Sequence, residues 1–342
     1  MAKREIKWVH WSPSIEEHNT ERSSNLGDRI IRDAVNSQIE KLFGERHSFL
    51  FSTKQTLGRA ELESIYKSDL VVVGGSNLLS SHMFPTPLGK PVGNIYRQWK
   101  LRHFGTDYGQ INTVLMGCGW WVYQAAPDFF TKRLLKSVLK GKEQGALHSV
   151  RDEYTLQKLQ ACGINNVVNT GCVTMWDLHG VSDDEVGKID VRTAVCTLTD
   201  YRRNPETDAR WLNLVRSYYD RVVVWPQGSK DLEYIRSLGL DGIDILEGEE
   251  IRYTELLSEN VDYIGTRLHG GVRALQNRCQ ALILGVDNRA FEISKDTGLF
   301  VIDRENTAAI ERWLEGDRKF RIKMPVDNIE RWKMATLALC GK

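Results

Sequence analysis

Leu70-Val71-Val72-Val73-Gly74-Gly75-Ser76-Asn77 is the stretch on which the fold turns. Four consecutive branched apolar residues have no polar side to offer water. They read as a strand buried on both faces, with a turn at the glycine pair behind it. Related runs recur at Ile6-Lys7-Trp8-Val9-His10-Trp11, Thr113-Val114-Leu115-Met116, Ala194-Val195-Cys196-Thr197-Leu198, Val222-Val223-Val224-Trp225 and Ala281-Leu282-Ile283-Leu284. Between them lie stretches of helical period. From Asp28 to Phe43, for example, Ile30, Ile31, Ala34, Val35, Ile39 and Leu42 keep one apolar face. Strands alternating with helices dictate parallel sheets, so the class is α/β, with two doubly wound domains facing a cleft.

The length of 342 residues suits two domains at roughly 150 residues each. The pattern lapses at Gly180-Val181-Ser182-Asp183-Asp184-Glu185-Val186-Gly187-Lys188, and a fresh strand starts near Thr193. The expected domains are therefore 1–182 and 183–326, with a last helix within 327–342, roughly Asn328 to Leu339, crossing back to the first. Lys plus Arg number 46 against 45 Asp plus Glu, a net charge of +1, which argues against a disordered chain or a nucleic-acid coat. No uncharged apolar run approaches the roughly 20 residues of a membrane-spanning helix. The opening Met1-Ala2-Lys3-Arg4-Glu5-Ile6-Lys7 lacks a signal-peptide core, so a cytoplasmic location is expected. Six cysteines without a C-x-x-C pair and eight histidines without H-x-x-H spacing encode neither a disulfide framework nor a local metal site. The expectation is reduced core thiols and no metal.

In open parallel sheets, ligands gather beyond the carboxyl ends of strands, which directs attention to the polar residues that follow each strand. Val261-Asp262-Tyr263-Ile264 leads into Gly265-Thr266-Arg267-Leu268-His269-Gly270-Gly271. Arg267 would offer a planar fork to a carboxylate or phosphate, His269 could exchange a proton near neutral pH, and the next helix would present its positive end. Read structurally instead, Arg267 pairs with an acid across the domain interface and His269 supports it. Asn25-Leu26-Gly27-Asp28 opens a helix, where Asp28 is either an N-cap or a carboxylate that takes a proton from a hydroxyl. Gly75, Ser76 and Asn77 form a plain turn or a loop that lets substrate approach the backbone. Arg151-Asp152, after Leu147-His148-Ser149-Val150, is a site element or a surface ion pair.

Taken in order, Asn25-Leu26-Gly27-Asp28, Gly74-Gly75-Ser76, Val150-Arg151-Asp152-Glu153 and Arg267-Leu268-His269-Gly270 resemble the polysaccharide pyruvyl transferase family over about residues 20 to 300. The resemblance implies two Rossmann-like domains of glycosyltransferase-B type, with an inter-domain active site. It implies transfer of the pyruvyl group of phosphoenolpyruvate, as a ketal, onto a sugar of a cell-surface polysaccharide or of its lipid-linked or nucleotide-linked precursor. Arg151 and Arg267, with Leu268, would hold the donor, and no cofactor is implied beyond that co-substrate. Asn25, Gly27, Gly75, Ser76 and Asn77 would lie on the acceptor side, with Asp28. His269 is expected as the acid and Asp28 as the base, the reverse assignment remaining open. The chain departs from the pattern at Ser76, where the family often has Gly, at Arg278-Cys279-Gln280 in place of Gly-x-Pro, and at Arg289 in place of a late Lys.

Residues 97–142 hold eight Lys plus Arg against two acids, interleaved with Tyr96, Trp99, Phe104, Trp120, Trp121, Phe129 and Phe130. This is either a solvated helix face over aromatic core or a peripheral contact with the inner face of a membrane or a lipid-linked sugar. Trp11, Trp120 and Trp121 are either core residues or platforms for sugar rings. Two further readings compete: a nucleotide-sugar-dependent glycosyltransferase on the same scaffold, and a non-catalytic glycan-binding protein.

Overall fold

The computed structural model describes residues 6–15, 25–44, 49–83, 98–101, 106–140, 145–187, 190–247 and 250–341. In chain order its elements are β1 (Trp8–Ser12), α1 (Leu26–Phe43), β2 (Phe49–Ser52), α2 (Arg59–Tyr66), β3 (Leu70–Gly74), β4 (Thr113–Met116), α3 (Phe129–Leu139), β5 (His148–Val150), α4 (Glu153–Ala161) and β6 (Val167–Asn169). They continue with β7 (Thr193–Thr197), α5 (Pro205–Tyr218), β8 (Arg221–Val224), α6 (Asp231–Ser237), β9 (Asp244–Ile245), α7 (Glu250–Ser258), β10 (Val261–Gly265), α8 (Leu268–Gln276), β11 (Ala281–Gly285), α9 (Asn288–Thr297), β12 (Val301–Asp303), α10 (Thr307–Leu314) and α11 (Val326–Leu339). The chain divides into two compact units, one of residues 1–23, 31–176 and 325–342, the other of 24–30 and 177–324.

In the first unit the parallel sheet runs β2-β1-β3-β4, and a parallel β5-β6 pair continues it through a bridge between Cys118 and Val150. Leu70, Val71, Val72 and Val73 are fully buried, as an unbroken apolar run requires. Helix α11 packs here because Ile329, Trp332, Thr336 and Leu339 share one buried side. Trp332 Nε1 donates to Leu115 O at 3.1 Å, and Asn328 Nδ2 to Asn169 O at 2.9 Å. Two histidines are enclosed within this sheet. His148 accepts from Leu115 N at 3.3 Å and donates from Nε2 to Leu139 O at 2.8 Å, a pairing that only the neutral ring can make. Burial lowers the pKa of His148 and of His10 to about 4.

The second unit is a parallel sheet in the order β12-β11-β10-β7-β8-β9. Counted within the unit this is the 3-2-1-4-5-6 winding of dinucleotide-binding sheets, which reverses direction between β7 and β10. The first unit's order reverses between β1 and β3. Chain ends at such reversals splay apart and leave room beyond the strands for a ligand. Both units are thus α/β with parallel sheets. All six cysteines are buried. No helix among the described residues is long and apolar enough to cross a membrane.

Candidate active site

In the second unit the reversal between β7 and β10 is where Arg267 stands. A Cβ on Gly265 would lie 2.3 Å from Thr197 Oγ1, so glycine lets the end of β10 close on β7. Arg267 N donates to Thr197 Oγ1 at 3.2 Å, Thr197 and Tyr263 share a 2.5 Å hydroxyl bond, and Tyr263 donates to Arg267 O at 2.6 Å. That ring fixes both backbone polar groups of Arg267. Its side chain is held as firmly. Nε donates to Asp231 Oδ2 at 3.0 Å, and Nη2 bonds Asp231 Oδ1 and, at 3.2 Å, Asp200 Oδ1. Asp231 is fully buried and also accepts from Gly228 N at 2.7 Å and Asp200 N at 3.0 Å. The guanidinium lies 5.1 Å from the centre of the Tyr201 ring.

Burial works against the charge on Arg267, but the Asp231 carboxylate, with Tyr201 and Asp200, outweighs it and raises the pKa above the usual arginine value. Its remaining nitrogen, Nη1, makes no hydrogen bond to protein among the described residues. Arg267 precedes α8 without capping it through its side chain, and Leu268 and His269 follow buried in the first turn. A fixed cation, a helix start and an imidazole therefore share one turn, a set suited to an anion that must be protonated.

The start of α1 belongs to this same unit. Leu26 N donates to Gln227 O at 3.0 Å, and Gln227 Nε2 donates to Asn25 Oδ1 at 3.2 Å. A Cβ on Gly27 would stand 2.6 Å from Gln227 Nε2, and one on Gly270 would stand 3.2 Å from Gln227 Oε1. Gln227 thus touches the starts of both α1 and α8, and its Oε1 is buried without a hydrogen-bond partner among the described residues. Asn25, not Asp28, caps α1, accepting from Gly27 N at 3.1 Å. This corrects the reading of Asp28 as the N-cap: the helix starts at Leu26, which leaves Asp28 buried in its first turn.

In the first unit Arg151 follows β5 as Arg267 follows β10. Its Nε donates to Asp152 Oδ2 at 2.9 Å and its Nη2 to Trp120 O at 3.3 Å. Arg151 is 2% exposed and Asp152 1%, so the pair is no surface ion pair. Asp152 at once caps α4, accepting from Thr155 N at 2.7 Å. The guanidinium lies flat on Gly119, where a Cβ would come within 2.1 Å of Arg151 Cζ. Gly119 N donates to Ser76 O at 2.8 Å, and Gly75 N to Met116 O at 2.8 Å, which ties the Gly75-Ser76-Asn77 turn to the Arg151 side. Asn77 is buried, and its Oδ1 has no hydrogen-bond partner among the described residues. Gly75 has φ +62° and packs on Ile31, where a Cβ would meet Cγ2 at 2.1 Å.

The sequence matches the polysaccharide pyruvyl transferase family over residues 25–288. The chain belongs to that family. No curated protein sequence matches it. Similar solved structures include the UDP-GlcNAc 2-epimerase of Methanocaldococcus jannaschii in complex with UDP-GlcNAc and UDP, at 12% identity over 97% of this chain and 98% of that one, with a TM-score of 0.48. Another is the UDP-GlcNAc 2-epimerase of Neisseria meningitidis bound to UDP-GlcNAc, at 11% identity over 96% and 93%, TM-score 0.45. A third is the glycotransferase of kitacinnamycin, at 11% identity over 98% and 96%, TM-score 0.40. At these scores none of their activities passes to this chain.

Membership in the polysaccharide pyruvyl transferases gives the departures from the pattern a physical meaning. Ser76 and Arg278 replace glycines of the family pattern, and they have φ +60° and +63°. The backbone keeps a glycine conformation that costs other residues roughly 1–2 kcal/mol. Arg289 forms an ion pair with Asp287 and bonds the Tyr201 hydroxyl, so it faces the same ring as Arg267. Arg267 pairs with acids of its own unit, which corrects the reading of a partner across the domain interface. Trp11 and Trp120 are core residues, and Trp121 is half-buried. Asp200, Tyr201, Gln227, Gly228 and Asp231 went unrecognised in the sequence, although they follow β7 and β8 at the strand ends where ligands gather. Among the described residues no group of three or more His, Cys, Asp or Glu is placed to hold a metal ion.

Proposed function

We propose that this member of the family is a ketal-pyruvyl transferase that uses phosphoenolpyruvate as donor and a pair of sugar hydroxyls as acceptor, with no resident cofactor. The observation that carries the reading is Arg267, locked by Asp231 and Asp200 with Nη1 left over, one residue from α8 and two from His269. Arg267 and Arg151 bind the donor's carboxylate and phosphate, with Leu268 beside them in the donor site. Asn25, Gly27, Gly75, Ser76 and Asn77 receive the sugar. The acceptor belongs to a cell-surface polysaccharide or its lipid-linked or nucleotide-linked precursor.

Phosphoenolpyruvate must gain a proton at C3 before C2 becomes electrophilic. His269 supplies it, and the arginines balance the anion as the enol phosphate turns into a cation at C2. The first sugar hydroxyl adds to C2 and gives its proton to Asp28. The bond from C2 to the phosphate oxygen then breaks, and phosphate leaves with the proton from Asp28. The second hydroxyl closes the ring, and its proton restores His269. One donor and one diol thus give one ketal and one hydrogen phosphate, with both residues returned to their starting state.

Thermal-shift titration with phosphoenolpyruvate, beside a panel of nucleoside diphosphate sugars, tests this reading. A ligand that binds only the folded chain stabilises it by ~2.7 kcal/mol at a hundredfold excess over its dissociation constant. Stabilisation by phosphoenolpyruvate that Arg267→Lys removes is the expected result. Stabilisation by a nucleotide sugar alone would replace the reading with glycosyl transfer, and silence from the whole panel would count against the donor.

A further inference from the structure

Helix α3 lies in the first unit and has two sides of opposite character. Thr131, Leu134, Leu135, Val138 and Leu139 are buried. On the other side Phe129, Arg133, Lys136 and Lys140 are exposed, at spacings of four, seven and eleven residues that set them in one line along the helix. Phe129 is 69% exposed, and Phe130 beside it is 48% exposed. Isolated apolar residues on a surface need no explanation, but two adjacent phenylalanines at the head of a cationic line do. Among the described residues none of Lys132, Arg133, Lys136 and Lys140 has an ion-pair partner, whereas Arg203, Arg210, Arg221 and Arg236 on the second unit's surface each have an acid within reach. Asp128, just before α3, is occupied in capping the helix through Thr131 N at 2.7 Å and in contacting His82 at 3.0 Å. At the far end Lys136 and Lys140 border a recess of about 470 Å³, with Gly163 and Asn166 opposite.

We infer that the outer side of α3 docks on an anionic bilayer, with the Phe129–Phe130 pair set among the acyl chains and Arg133, Lys136 and Lys140 on the headgroups. The exposed phenylalanines favour a bilayer over nucleic acid, since a phosphate backbone gives a wedge of two rings nothing apolar to enter. The recess bordered by Lys136 and Lys140 gives one headgroup phosphate a place against the helix. This reading goes beyond the transfer reaction and does not depend on it.

Flotation of the full chain with vesicles of phosphatidylcholine, with and without phosphatidylglycerol, tests the inference without any substrate. The chain is expected to float with the phosphatidylglycerol vesicles alone and to be released by salt. Combining Arg133→Glu, Lys136→Glu and Lys140→Glu is expected to lower binding on the order of a hundredfold, because each cation near an anionic surface is worth roughly fivefold. Phe129→Ser keeps the charge and is expected to lower it about tenfold. These side chains are exposed, so unchanged melting of each variant shows that any loss is not unfolding. No flotation of the wild type, or flotation that survives both variants, would overturn the inference. So would a Phe129→Ser variant that floats normally while duplex DNA displaces the chain from vesicles, which would make α3 a nucleic-acid surface.

Discussion

Arg151 and Arg267 hold equivalent places in the two units, each just past the end of a parallel strand, each laid against a glycine and each clamped by an aspartate. They differ in where the clamp comes from. Arg151 takes its carboxylate from its neighbour Asp152, with the Trp120 carbonyl as a second acceptor. Arg267 is held by Asp231 and Asp200, residues from the ends of two other strands, with Tyr201 across its face. The lesson is that the same placement of a cation can be built locally or by the sheet as a whole. Only the second kind couples the site to the stability of its unit.

The largest expected contrast is in stability. Arg267→Ala removes the cation from buried Asp231 and from Asp200 beside it and leaves Asp231 only two backbone N–H groups, a loss of about 3–5 kcal/mol in urea unfolding. Arg151→Ala strands one carboxylate that still caps α4, and should cost clearly less. Equal losses would mean that the two clamps are energetically alike.

The first unit should show its own vulnerability toward acid. His10 and His148 have pKa values near 4 in the folded chain against 6.5 for the free side chain, so between these values the unfolded chain binds more protons. Stability is therefore expected to fall as pH drops from 6.5 toward 4, by on the order of 3 kcal/mol for each ring. Urea midpoints across that range check this, and a flat profile would contradict the neutral buried rings.

Next come the glycines beneath the arginines. Gly119→Ala would push a Cβ to 2.1 Å from Arg151 Cζ, and Gly228→Ala to 2.5 Å from Arg267 Nη2. Displacing a binding group by about 1 Å can cost on the order of a hundredfold in function, so donor affinity should fall in both variants, more in Gly119→Ala. Calorimetric titration with phosphoenolpyruvate would show it. Smallest is the effect of Ser76→Gly and Arg278→Gly, one in each unit, each expected to relieve about 1 kcal/mol of left-handed strain and raise the melting temperature. A lower melting temperature in either would show that the native side chain outweighs its backbone strain.

The parallel strands were legible because a strand covered on both faces leaves an unbroken apolar run: Thr113 to Met116 is β4 as read, and Leu70 to Val73 lies wholly within β3. Elements such as β9 and β12 left no such run, because a short edge strand is half-exposed and its residues are mixed. At α1 the dominant signal misled. Asp28 looks like a cap, yet Asn25, three residues earlier, takes the role. Val150-Arg151-Asp152 could be read because the carboxylate partner of Arg151 is its neighbour in the chain. The partners of Arg267 lie 36 and 67 residues away, and only sheet order brings Asp231 and Asp200 to it. Applying the strand-end rule to β7 and β8 as well would have drawn Asp200, Tyr201, Gln227 and Gly228 into the candidate site.

Isothermal titration of the wild type, Arg151→Lys and Arg267→Lys with phosphoenolpyruvate tests most directly whether both clamped arginines serve the donor. Lysine keeps each charge but cannot reproduce the fork that each aspartate fixes. Binding by the wild type, weakened at least about tenfold in both variants, is the result the two-arginine account predicts. Wild-type affinity in Arg267→Lys would remove that residue from the donor site and, with it, the basis of the proposed reaction.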